Sequence, residues 1–148
     1  MNDRRPTLSL DDASVNFLWT GDRFAHEVRL GDRVVARSIE GDGDQDFPPS
    51  PPIQDLSIET LDMGKAALGV GGAGRGHWSI SILIRDGGFD FDIACRHPDA
   101  IDHLGSRYEI IDSRGWSAGS QTERDDAGFK PTQIILPMTR WSYRWEPY

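Results

Sequence analysis

The 148 residues carry a formal charge of −8 at neutral pH, with 16 Lys and Arg against 24 Asp and Glu. That balance argues against a general nucleic-acid binder, which needs an excess of cations for phosphate, and no window approaches the roughly twenty apolar residues that span a bilayer. The single cysteine, Cys95, rules out a disulfide framework, and the expected compartment is the cytoplasm.

Residues 1–13 are polar and aperiodic and read as a flexible N-terminal arm, with one β domain expected over 14–148. Val15, Phe17 and Trp19 alternate with polar residues, Gly21-Asp22 turns the chain, and Phe24, His26, Val28 and Leu30 alternate on the way back. A second turn at Gly31-Asp32 returns Arg33 to Glu40. With two-residue turns, Phe17 falls opposite His26, Val28 opposite Val35, His26 opposite Arg37 and Phe24 opposite Ile39. A His and an Arg then share an otherwise apolar face, an arrangement that needs hydrogen bonds, water or a ligand.

Residues 41–52 (GDGDQDFPPSPP) read as an acidic loop followed by a stiff proline crossover. Asp42, Asp44 and Asp46 resemble the start of a calcium loop, but Phe47 and Ile53 stand where the EF-hand needs Gly and Glu, so no metal site is expected. Leu56, Ile58 and Thr60 mark another strand. Gly69, Gly71 and Gly74 formally match GxGxxG, yet a strand rather than a helix follows; close backbone approach is the better reading, and no cofactor is expected.

His77 to Arg96 is the strongest pattern in the chain. Trp78, Ile80, Ile82 and Ile84 rise, a turn falls within Asp86-Gly87-Gly88, and Phe89, Phe91, Ile93 and Cys95 descend on the same face. The opposite face carries His77, Ser79, Ser81, Asp90, Asp92 and Arg96. Residues 98–104 read as one or two helical turns, with His97, Asp99, Asp102 and His103 matching no metal template. Arg107 to Asp112 is a strand, 113–131 a long polar loop with a short strand near Trp116, and Trp141, Tyr143 and Trp145 alternate at the end.

These elements predict an all-β, mostly antiparallel fold of 8–10 strands, an up-and-down barrel similar in outline to a lipocalin; the resemblance is one of architecture alone. A two-sheet sandwich is the alternative. The expected function is binding of a small anionic ligand with an apolar body by His26, Arg37, Phe17, Trp19 and Phe24. The alternatives are an interaction or structural domain with no small-molecule site, and an enzyme using Asp90 and Asp92 with His77. Neither nucleic acid nor membrane is an expected partner.

Overall fold

Alternation with a period of two dominates the chain, and the backbone follows it. The structure, a computed structural model, describes residues 5–99, 101 and 103–148, none of them helical. The strands are β1 (Thr7–Leu10), β2 (Ala13–Trp19), β3 (Phe24–Leu30), β4 (Arg33–Ser38), β5 (Asp55–Leu61), β6 (Gly64–Ala73), β7 (Gly76–Arg85), β8 (Gly88–Arg96), β9 (Ser106–Ile110), β10 (Trp116–Ala118), β11 (Thr122–Asp125), β12 (Gly128–Pro131) and β13 (Met138–Trp145). They form two antiparallel sheets, ordered β1-β2-β3-β4-β9-β12-β11 and β10-β13-β8-β7-β6-β5. The arrangement is sandwich-like: each sheet keeps its own two edge strands, and no single closed ladder forms. The expected barrel gives way to the two-sheet alternative, and short strands within stretches read as arm or loop raise the number above ten.

The N-terminal arm is one of these. Leu8 and Leu10 alternate with Thr7 and Ser9, Asp11 turns the chain at φ 54°, and β1 pairs with β2 from Leu10↔Ala13 to Thr7↔Asn16. Leu8 is buried, and this burial holds the segment in the sheet. Residues 1–4 of the expected arm lie outside the described residues. So do Ala100 and Asp102 of the expected helical turns; the described residues around them are not helical.

The central hairpin forms on the expected face. Its turn is Asp86-Gly87, with φ of 53° and 77°, as a two-residue turn matching the strand twist requires. Trp78, Ile80, Ile82, Phe89, Phe91, Ile93 and Cys95 are all buried. Their side chains meet an aromatic column in which Phe129 stacks on Tyr143 at 4.2 Å and Tyr143 on Phe91 at 4.7 Å, flanked by Trp116. The proline run carries the chain from β4 in one sheet to β5 in the other, and the glycine-rich β6 lets it pass. A Cβ on Gly71 would stand 1.8 Å from the Pro52 carbonyl oxygen.

Among the described residues, no helix is long and apolar enough to cross a membrane.

Candidate functional site

The alternation of β2 and β3 turns Phe17, Phe24 and His26 inward, and Phe17 lies opposite His26 as expected. Trp19 is half-buried at the margin, edge-on to Phe24 with centroids 5.0 Å apart. His26 Nε2 is 2.7 Å from Tyr108 Oη, which is 2.6 Å from Tyr143 Oη. Nearby, the Ser106 hydroxyl accepts from Trp141 Nε1 at 2.9 Å. Polar groups thus meet between the sheets, His26 from one strand pair and Tyr143 from the facing sheet. Burial pushes His26 down to about 4, so it is neutral across pH 5–8 and does not titrate in that range as a free imidazole would.

Arg37 does not join this cluster. The β3–β4 pairing begins in the expected register, Leu30↔Arg33 and Arg29↔Val34, then shifts at a bulge so that Val28 faces Ala36 and Glu27 faces Arg37. Val35 and Ala36 are both buried, one residue more than strict alternation allows. Everything beyond the bulge changes face. Arg37 and Ile39 turn outward, the Arg37 side chain being 47% exposed, with Glu27 at 3.5 Å and Glu109 at 3.7 Å.

On that outer face Thr7, Asn16, Glu27, Arg37 and Glu109 form one cross-strand row over five strands. Beside it lies a groove of about 470 Å³ whose lining includes Arg5, Leu18, Ala25, Glu27, Arg29 and Arg37. Phe17, His26 and Ser38 also border it. Glu27 serves two guanidinium groups, holding Arg29 at 2.8 Å and Arg37 more loosely. Leu18 is 46% exposed and Ala25, being small, leaves room next to it.

The acid–base constellation does not assemble. Asp90 is clamped by Arg85 at 2.9 Å and Arg144 at 2.8 Å. His77 lies across from Arg96, four residues and therefore about 13 Å along β8 from Asp92. Cys95 is buried inside the sandwich, and desolvation raises its thiol to about 11, so it is no nucleophile.

The chain matches no protein-family model, no curated protein and no solved structure.

Sequence reasoning missed the group that replaces Arg37 inside. The bulge turns Ser38 and Glu40 toward the inner side, and Ser38 Oγ accepts the His26 backbone N–H at 2.9 Å. Burial raises the Glu40 carboxyl to about 7 against the opposing pull of the Ser38 hydroxyl and the buried Arg23 guanidinium. Arg23 Nη1, His26 Nδ1 and Glu40 Oε1 have no hydrogen-bond partner. The signal in the sequence is the run Val34-Val35-Ala36, three apolar residues that no two-residue period can place on one face.

Proposed function

We propose that the protein binds a small anionic ligand with an apolar body, and that it does so in the outer groove of the seven-stranded sheet rather than between the sheets. The observation that carries this reading is the composition of the groove: three guanidinium groups, Arg5, Arg29 and Arg37, against one lining carboxylate, Glu27. A carboxylate or phosphate seated between Arg29 and Arg37 would accept from planar donor forks that now meet at Glu27, Arg37 reaching Glu109 as well. The apolar part of the ligand would lie over Leu18 and Ala25. Arg37 at 3.5 and 3.7 Å from its acidic neighbours is beyond good hydrogen-bond length, so a better-placed acceptor gains more than it displaces.

The test is a thermal-shift screen of aliphatic and aromatic carboxylates and phosphate monoesters at low salt, repeated on Arg37→Leu and Arg29→Leu. The expected result is a hit that weakens at least tenfold in each variant and declines with added salt. Hits indifferent to both arginines, or none at all, would overturn the assignment.

A further inference from the structure

The outer face of the other sheet holds a second concavity of different chemistry. Two neighbouring cross-strand rows define it. One runs Asp55–Val70–Ser79–Ala94–Arg140 and the next Ser57–Leu68–Ser81–Asp92–Ser142, across β5, β6, β7, β8 and β13. Small side chains at Ser79, Ser81 and Ala94 leave a trough of about 470 Å³ between Leu68 and Val70 on one flank and Arg140 on the other. Leu68 and Val70 are 37% and 54% exposed, an aliphatic strip in an otherwise polar surface.

Asp92 and Arg140 are what set this trough apart. At several other places on the outer faces neighbouring opposite charges join: Glu27 with Arg37, Asp90 with Arg144, Asp112 with Arg33 and Arg114, Lys130 with Glu123. In the trough the register sets Asp92 opposite Ser142 and Arg140 opposite Ala94, so the two are diagonal neighbours, roughly 7–8 Å apart at the backbone. They attract each other, but among the described residues neither makes an ion pair or side-chain hydrogen bond, and neither do the hydroxyls of Ser57, Ser79 and Ser81. Neighbouring protein strips part of the hydration of Asp92, and with the Asp90 charge this raises its carboxyl above the ordinary value.

We propose that this trough binds a small aliphatic amino acid, its carboxylate on the Arg140 guanidinium, its ammonium on Asp92 with the Ser79 and Ser81 hydroxyls, and its side chain along Leu68 and Val70. Asp55 stands at the far end of the trough on β5, so the two opposite charges within reach of one small molecule are Asp92 and Arg140; a zwitterion meets both with their opposites and adds no net charge to the complex. A simple anion would leave Asp92 facing it, and a simple amine would leave Arg140 facing it.

The test is an amide chemical-shift titration of the full chain with L-leucine, alongside 4-methylpentanoate, which lacks the ammonium, 3-methylbutylamine, which lacks the carboxylate, and maltose. Leucine should give saturable shifts at Ser79, Ser81, Asp92, Ala94 and Arg140, with each single-charge analogue at least tenfold weaker. Asp92→Asn and Arg140→Gln should each weaken leucine at least tenfold. Asp92→Asn should leave 4-methylpentanoate no weaker than before, and Arg140→Gln should do the same for 3-methylbutylamine. Both side chains are exposed, so neither variant threatens folding, and unchanged shifts remote from the trough verify this. Four results would overturn the proposal: no saturation by leucine at tens of millimolar, equal response to the analogues, shifts confined to the other sheet, or binding of maltose in place of leucine.

Discussion

The inward turn of His26 and Glu40 makes a prediction about stability as a function of pH. His26 falls from 6.5 to about 4 on folding, so between those values the unfolded chain binds the proton more tightly and stability rises with pH. Glu40 rises from 4.5 to about 7, so over that interval the folded chain binds the proton more tightly and stability falls with pH. Each gap corresponds to roughly 3 kcal/mol if fully expressed. The two slopes oppose each other and nearly cancel between about pH 4.5 and 6.5. Glu40→Gln removes one of them. Relative to the parent, that variant should gain up to about 3 kcal/mol as pH rises from 4.5 to 7, because it has no carboxylate to ionise in a desolvated position. His26→Gln keeps a neutral partner for Tyr108 and should gain a similar amount, about 3 kcal/mol, as pH falls from 6.5 to 4. Urea unfolding followed by fluorescence of the buried Trp116, Trp141 and Trp145 at half-unit steps of pH gives both difference curves. A Glu40→Gln difference that stays flat across this range would refute the placement of Glu40 inside. Two differences of the same sign of slope would refute the compensation.

Phe91 is fully buried, stacked on Tyr143 and packed against Trp116, so Phe91→Ala should destabilise by about 3–5 kcal/mol in urea unfolding; a loss under about 1 kcal/mol would reverse the assigned faces of the central hairpin. Gly71→Ala drives a methyl into the Pro52 carbonyl and should cost at least about 2 kcal/mol, with amide shifts displaced at Pro52 to Gln54. Arg37→Leu should change stability by less than about 1 kcal/mol, since its ion pairs are long and exposed; a larger loss would place the guanidinium in the interior after all.

How much was legible in the sequence follows from how local each determinant is. The central hairpin was readable because its two apolar quartets and its Asp86-Gly87 turn agree, and a one-residue slip would have exposed seven large side chains and Cys95. β1 was missed because Leu8 and Leu10 are only two apolar residues, too few to signal a strand until Val15 and Phe17 stand beside them. Closure into two sheets instead of one barrel depends on β4 pairing with β9, a partner some 70 residues on, and no periodicity within either strand encodes that choice.

The candidate site was legible as a position and illegible as a face, and the bulge explains both. Turn geometry fixed Phe17 opposite His26 and fixed the start of β4 at Arg33. Past Val34, a strict two-residue period had to bury either Val35 or Ala36 and expose the other. Burying both, at the expense of one disrupted ladder step, keeps two apolar side chains out of water. It also decides which polar residues enter the sandwich: with strict alternation the interior would receive a permanent cation, whereas the bulge delivers Ser38 and Glu40. A carboxyl can shed its charge by holding a proton, and a guanidinium at accessible pH cannot. The same one-residue shift sends Arg37 out to meet Glu27 and Glu109, builds the charged row bordering the outer groove, and leaves His26 Nε2 inside on the Tyr108–Tyr143 hydroxyl pair.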